Sequence, residues 1–311
     1  SKFRKNITIF GNTNFKKKFK LRYKNIDLKK IPFTSQTRNY VNKFVNYEKK
    51  NNSTIIEVHN RPSYIKILSY QLKKRILTLY FHNDPLSMDG SQTITERKNL
   101  LKTCYKIIFN SSWSKKRFLE GLENKFVNSD KLLVFHQSAQ KGSLSLLNKK
   151  KKWITFVGKL NKAKGYDIFA ASIKKILNKY PEWRAKVIGD EKREKILLKH
   201  KRADILGFKK HNEVLNIFKK SSIAVACSRW EEPFGRTSLE ASANGCAVII
   251  TNKGGLPETV TNAKILTNLS VKNLERNINT LIKDNKLRKK LQSLSLKNFN
   301  LTHEFVTKKI D

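Results

Sequence analysis

The stretch Ile223-Ala224-Val225-Ala226-Cys227-Ser228-Arg229-Trp230-Glu231-Glu232-Pro233-Phe234-Gly235-Arg236-Thr237-Ser238-Leu239-Glu240-Ala241-Ser242-Ala243-Asn244-Gly245 decides the fold. The apolar run Ile223 to Cys227 reads as a buried strand. A polar, irregular loop follows it, and then a helix that stops at Gly245, the usual place for a C-terminal glycine. Pro233 biases Glu232 toward an extended backbone, so that carboxylate belongs to the loop, whereas Glu240 lies on the helix.

This strand–loop–helix unit has a definite chemistry. Gly235 lets backbone approach a ligand closely, and the first amides of the helix, around Phe234 to Thr237, point into the same space. Such helix starts bind phosphate through their amides and the positive end of the helix dipole. Carboxylates are poor phosphate ligands but good acceptors for hydroxyls, so Glu232 and Glu240 beside that start describe a phosphate flanked by hydroxyl-bearing groups, as in a nucleotide sugar. A structural reading is equally open to these residues alone: Glu-Pro before a helix is common, and Glu240 could serve only the dipole.

Outward from this unit the same rhythm continues. Short apolar β-branched runs alternate with amphipathic segments, the βα pattern of a parallel sheet. Strands are expected at Asn6 to Phe10, Thr54 to Val58, Arg75 to Phe81, Lys106 to Phe109 and Lys131 to Val134. In the second half they are expected at Trp153 to Gly158, Ala185 to Ile188, Ala203 to Leu206, Ile223 to Cys227 and Cys246 to Ile250. Helical patterns include Gln36 to Lys49, Ile65 to Lys73 and Asp167 to Lys179. Ser143 to Lys152, polar and ending in consecutive lysines, reads as a linker. The chain of 311 residues is long enough for two such domains. The fold class expected is α/β, with two Rossmann-like parallel-sheet domains facing each other across a cleft, spanning residues 1–148 and 149–297. Ligands of open parallel sheets bind outside the carboxyl ends of the strands.

Lys and Arg number 66 against 24 Asp and Glu, a formal net charge of +42, yet 39% of residues are hydrophobic. That is a folding composition and not a basic disordered tail. Lysines such as Lys16-Lys17-Lys18 and Lys149 to Lys152 are not interleaved with aromatics, and no zinc-finger, RNP or KH pattern occurs, so no specific nucleic-acid partner is expected. Attraction to an anionic membrane surface is compatible with the charge. The three cysteines, Cys104, Cys227 and Cys246, are widely spaced and do not form a disulfide or zinc framework. No apolar run reaches the roughly 18 to 20 residues that cross a bilayer, and no signal pattern opens the chain. A cytoplasmic location follows, with peripheral contact at the inner face of the plasma membrane.

Glu232-Pro233-Phe234-Gly235 followed by Glu240 resembles the E-x7-E motif of family-4 retaining glycosyltransferases of the GT-B fold. Three further segments are similar to that family in the same order: Val157-Gly158-Lys159-Leu160 with Lys164-Gly165, Val187-Ile188-Gly189-Asp190, and Gly254-Gly255-Leu256-Pro257-Glu258. The ordered set is more specific than any one motif. The resemblance implies a nucleotide-sugar donor. In it Glu240 would accept from ribose hydroxyls, Glu232 would hold hydroxyls of the transferred sugar, and Lys164 would neutralise the diphosphate. The amides of Phe234, Gly235, Arg236 and Thr237 would cradle the donor. Lys159 stands where the family usually has Arg, keeping the charge but losing the bidentate fork.

In the first half, Glu57-Val58-His59-Asn60-Arg61-Pro62 and Phe81-His82-Asn83-Asp84-Pro85 each carry a histidine directly after a strand. A lone histidine is more often structural. Here the resemblance makes His82 the acceptor-domain residue that faces the reacting sugar, and His59, Asn60 and Asp84 the acceptor-side candidates. The His59-Asn60-Arg61-Pro62 string is similar to bacterial members acting on surface or spore-coat polysaccharides. Family members begin with a strand and a glycine-rich loop for which this chain shows no counterpart, so an exposed sheet edge is expected in the first domain.

The implied reaction moves a sugar to a hydroxyl of a glycan or lipid-linked acceptor with retention. No carboxylate is evidently placed as a covalent nucleophile, which favours front-face transfer in which the leaving phosphate oxygen takes the acceptor proton. His82 and Glu232 would steady the sugar, and lysines and amides would oppose the charge on the diphosphate without a metal or other cofactor. The amphipathic segment 298–311 reads as a clasp helix returning to the first domain, or as a cap on the second. Two alternatives remain: a non-catalytic polyanion- or membrane-binding protein on a decayed transferase fold, and, more remotely, a phosphorylase-like enzyme.

Overall fold

The computed structural model describes residues 6–13, 22–28 and 35–310. The run Lys16-Lys17-Lys18 lies outside them. The chain divides into two compact units, one of residues 1–110 and 114–134, the other of 111–113 and 135–311. The expected division at 148/149 follows the change in composition. Packing divides the chain earlier, because residues such as Ala139 are buried with Phe234, Leu239 and Phe299 of the second unit.

The first unit holds the strands β1 (Thr8–Gly11), β2 (Arg22–Asn25), β3 (Ile55–His59), β4 (Ile76–Phe81), β5 (Lys106–Phe109) and β6 (Leu132–Val134). Its helices are α1 (Gln36–Asn51), α2 (Ser63–Gln71), α3 (Ile94–Thr103) and α4 (Ser112–Leu119), the last reaching into the stretch that groups with the second unit. Strands β3 to β6 form a parallel sheet in chain order, and β1 pairs in parallel with β2 in a separate sheet. Along β3 the side chains alternate, Ile56 and Val58 inward and Ile55, Glu57 and His59 outward, as strand geometry requires. Ile56 and Val58 join Val41, Val45, Leu79, Phe81, Ile107 and Phe109 in one core. Among the described residues β3 is an edge of its sheet.

The second unit contains β7 (Lys151–Val157), β8 (Arg184–Ile188), β9 (Ala203–Ile205), β10 (Ser221–Ala226), β11 (Ala247–Thr251) and β12 (Ala263–Leu266). It also contains α5 (Tyr166–Lys179), α6 (His211–Lys220), α7 (Arg236–Ala243), α8 (Val271–Lys283), α9 (Asn285–Lys297) and α10 (His303–Ile310). All its strands are parallel, in the order β12-β11-β10-β7-β8-β9. The order reverses between β7 and β10, which makes that junction the switch point of a Rossmann-like sheet. Both faces are covered. Ile154, Ile223, Val225 and Ile249 pack with α5 and α8, while Ala224, Val248 and Ile250 pack with Val214 and Phe218 of α6 and Ala241 of α7.

One sequence expectation needs correction here. Ser143 to Lys152 is not a solvated linker throughout: β7 begins at Lys151, a short 3-10 segment covers Leu144–Lys149, and the Lys150 ammonium donates to the carbonyls of Phe218 (2.9 Å) and Asn244 (2.7 Å). Burial holds that ammonium below its ordinary pKa. Strands β2 and β12 do not show in the sequence pattern: β2 has only Tyr23 as an apolar residue, and β12, at four residues, is too short to show an alternation. In the segment read as a clasp, Phe299 and Leu301 pack with Ala139 and Phe234, and the imidazole Nδ1 of His303 meets Ser138 Oγ at 2.8 Å, all within the second unit.

Candidate active site

The loops after β7 and β10, on the two sides of the switch point, are tied together. Asn161 caps the short turn Lys162–Lys164 by accepting from the Lys164 amide (3.0 Å). The carbonyl of Ala163 then accepts from the amides of Arg229 (2.9 Å) and Trp230 (3.0 Å) and from Ser228 Oγ (3.0 Å). Arg229 grips Asp167 with both arms, at 2.6 and 2.7 Å, and donates to the Lys162 carbonyl. This hydrogen bonding, with the charge attraction behind it, holds the Asp167 carboxyl below its usual pKa. Gly165 is needed at the crossing: it has φ +71°, and a Cβ there would lie 1.9 Å from the Cys227 carbonyl oxygen.

This stapling brings Lys164 onto Glu232, whose carboxylate oxygen Oε1 accepts from the Lys164 ammonium. Glu232 is well buried and Lys164 about one-third exposed. The Glu232 backbone is fixed by the loop after β11: Gly255 donates to its carbonyl at 2.6 Å, and a Cβ on Gly254, at φ +58°, would lie 2.1 Å from the same oxygen. Neighbouring Glu231 accepts from the Gly254 amide (2.6 Å) and the Lys253 ammonium (2.9 Å). Lys159 is exposed. Its charge adds to the hydrogen bonds from the Arg193 amide and Asn161 that keep Glu191 below the ordinary carboxylate pKa.

Helix α7 opens at Arg236 after Gly235, which adopts φ +111°. The side chain of Phe234 is buried in the core, so only its backbone could meet a ligand. Thr237 is half-buried in the first turn. Glu240, buried on the same helix, holds two partners on one oxygen: Arg236 Nη2 at 2.6 Å and His211 Nε2 at 3.0 Å. Sequence reading missed His211, which reaches Glu240 from α6. No local pattern marks a contact made between two helices distant in sequence. It also passed over the role of Glu258, whose carboxylate accepts from the amides of Ser112 (2.7 Å) and Trp113 (3.0 Å) and meets His136 at 2.9 Å. Burial alone would raise its pKa, but the hydrogen bonds from His136 and the two amides outweigh it and lower it.

The remaining candidates lie in the first unit, at the carboxyl ends of its strands. His59 ends β3, and its Nδ1 stands 3.0 Å from Nε2 of His82, which follows β4. Asn60 takes the left-handed conformation at φ +56° and accepts from the amides of His82 (2.7 Å) and Asn83 (3.3 Å) through Oδ1. Its side chain thus shapes the turn that holds His82. Burial, and then the neighbouring His59, push the His82 pKa down to about 4. Asp84 is engaged structurally, accepting from the Leu86 amide (3.1 Å) and paired with Arg117 (3.1 Å).

Residues 141–295 match the family model of glycosyl transferases group 1. Spore coat protein SA of Bacillus subtilis (strain 168) is 23% identical over 242 residues, covering 70% of this chain and 64% of that protein. The lipopolysaccharide core biosynthesis mannosyltransferase LpsB of Rhizobium meliloti (strain 1021) is 30% identical over 147 residues, covering 44% of this chain and 41% of its own length. The chain therefore spans less than two thirds of these curated relatives. Among solved structures, Anabaena Alr3699/HepE in complex with UDP superposes with a TM-score of 0.76 at 19% identity, covering 93% of this chain and 85% of that one. Sucrose-phosphate synthase from Thermosynechococcus elongatus gives 0.74 at 15% identity, covering 97% and 86%. These likenesses establish the fold, α/β with Rossmann-like units, as in GT-B glycosyltransferases.

Proposed function

Because the chain carries a glycosyl transferases group 1 domain at residues 141–295, we propose that it is a retaining glycosyltransferase. It would move a sugar from a nucleoside diphosphate to a hydroxyl of a glycan or lipid-linked acceptor in cell-surface polysaccharide synthesis. The observation that carries this reading is the Lys164–Glu232 pair at the switch point between β7 and β10. One cation and one carboxylate, each suited to a different half of a nucleotide sugar, meet where a doubly wound sheet binds its ligand.

In this reading Lys164 and Lys159 oppose the charge of the diphosphate, together with the amides of Phe234, Gly235, Arg236 and Thr237 at the start of α7. Glu240 accepts from the ribose hydroxyls through the oxygen that Arg236 and His211 do not use. Glu232 orients the hydroxyls of the transferred sugar, and the family resemblance would have the ring of His82 face that sugar. The bond from the anomeric carbon to the phosphate oxygen breaks while the acceptor oxygen attacks from the same face. The departing phosphate oxygen takes the acceptor proton, so neither a covalent carboxylate intermediate nor a metal ion is required. The molecules bound in the Anabaena neighbour's complexes, UDP with glucose and UDP-glucose, support a nucleoside diphosphate sugar as the donor here. No helix among the described residues is long and apolar enough to cross a membrane. We place the protein in the cytoplasm, with its charge of +42 favouring contact with anionic lipid at the inner face of the plasma membrane.

A thermal-shift screen of nucleoside diphosphate sugars tests the donor. A ligand at 100 times its dissociation constant adds about 2.7 kcal/mol of stability. Failure of every nucleoside diphosphate sugar to raise the midpoint would remove the reading. Product analysis of the anomer tests retention, and transfer abolished by a chelator would contradict the metal-free mechanism.

A further inference from the structure

The first unit contains a chain of polar groups that the proposed reaction does not by itself explain. Nδ1 of His59 and Nε2 of His82 lie 3.0 Å apart, so one of the two nitrogens carries the shared proton. The other nitrogen of His59, Nε2, stands 3.7 Å from Oε2 of Glu57. Tyr80 donates to Oε1 of the same carboxylate at 3.2 Å, and its ring stacks on His59 with centroids 4.5 Å apart. The two imidazoles are parallel to within 3°. His82 is also held along its backbone: Asn60 Oδ1 accepts from its amide at 2.7 Å, and Asn110 Nδ2 donates to its carbonyl at 2.8 Å. The nearby guanidinium of Arg61 is turned to the Asn60 carbonyl at 2.8 Å.

Two observations select the same tautomers. An ionised carboxylate only accepts, so Glu57 favours a proton on the facing Nε2 of His59 and disfavours a lone pair there. That leaves His59 Nδ1 as an acceptor and places the shared proton on His82 Nε2. Independently, His82 Nδ1 is buried with no hydrogen-bond partner among the described residues. A buried N–H without an acceptor is the rarer and costlier arrangement, compared with an unused lone pair.

We propose that Glu57 and His59 are positioning residues for His82: they fix it in the Nε2–H tautomer, commit its one proton to His59, and present it to the sugar as an uncharged imidazole that cannot donate a proton. The last clause rests on the glycosyltransferase reading. There, an uncharged ring beside a sugar that gains positive charge does not oppose the transition state, whereas an imidazolium would. The low pKa of His82, about 4, agrees with this arrangement.

Long-range proton–nitrogen NMR of the six histidine rings in the full chain tests the proposal, with His59→Gln and His82→Gln used for assignment. The expected pattern is a protonated Nε2 and a bare Nδ1 on His82, with the same pattern on His59. Glu57→Gln offers His59 an amide donor, so the pattern should invert on both rings, and Glu57→Asp should restore it. Should Glu57→Gln fail to fold, Tyr80→Phe, which only loosens Glu57, should give a mixture of tautomers. In transfer assays Glu57→Gln should lower kcat about tenfold, the scale of one hydrogen bond, with little change in donor KM. A protonated Nδ1 on His82 in the wild type, a pattern unmoved by Glu57→Gln, or an unchanged kcat would overturn the proposal. Absence of transfer by the wild type, with the tautomers as stated, would instead count against the glycosyltransferase reading.

Discussion

The ammonium of Lys164 is hydrogen-bonded to the carboxylate of Glu232, across the junction where the strand order of the second sheet reverses. The pair joins the loop that follows β7 to the loop that follows β10. In the proposed reaction the diphosphate competes with Glu232 for the lysine, and Glu232 turns to the sugar hydroxyls.

Lys164→Ala therefore should cost little stability and much binding. Lys164 is a third exposed, so the loss should stay at about 1 to 2 kcal/mol, which includes leaving the largely buried Glu232 without its cation. The ligand-free melting temperature should shift by only a few degrees, while the stabilisation by nucleoside diphosphate sugar disappears. A donor-induced shift equal to that of the wild type would show that Lys164 does not contact the diphosphate.

Glu240→Ala should combine both losses. It removes a buried carboxylate that serves Arg236 and His211, which should destabilise by about 2 kcal/mol. It should also abolish the donor-induced shift. Glu240→Gln keeps the shape and acceptor oxygen, so urea unfolding should show a smaller stability loss. If isothermal titration gave Glu240→Ala wild-type donor affinity, the ribose assignment would fall.

Gly165→Ala tests the stapling of the two loops. The new methyl would meet the Cys227 carbonyl at 1.9 Å in a backbone conformation of φ +71°. The strain should cost about 2 kcal/mol or more. Gly207→Ala is the control: it has φ +64° but nothing within 4 Å of the added methyl, so about 1 kcal/mol is expected. Equal unfolding midpoints for the two variants would contradict the close crossing.

Acid should weaken the first unit through His82. Its pKa falls from 6.5 to about 4 in the folded chain, so between those values the unfolded chain binds more protons. Stability then rises with pH across that window and is lost as pH falls from about 6.5 toward 4. Glu258 acts in a lower window, because its depressed carboxyl pKa gives stability that is lost only below the ordinary glutamate range. Melting temperatures measured against pH should show a shallower slope between pH 6.5 and 4 for His82→Gln than for the wild type. Parallel curves would argue against a depressed histidine.

Much of the second unit was legible as a sequence. Strand β10, the extended loop at Glu232-Pro233, the glycine at 235 and the helix ending before Gly245 follow from local chain preferences, which act within a few residues and leave a pattern. The succession of βα units, and with it a parallel sheet, follows from hydrophobic periodicity. The same logic fails for β2 and β12, whose short strands have little apolar alternation, and for Lys150, whose burial depends on carbonyls of Phe218 and Asn244 brought to it by packing.

Sequence alone therefore determined the class of the fold and the residue types available at the carboxyl ends of its strands. Only the tertiary structure decided that Lys164 meets Glu232, that Arg236 and His211 share one oxygen of Glu240, and that His59 meets His82. The reason is physical. Backbone conformation is set by neighbours along the chain, whereas a hydrogen bond between side chains distant in sequence depends on strand order and register, which emerge when the sheets close their cores.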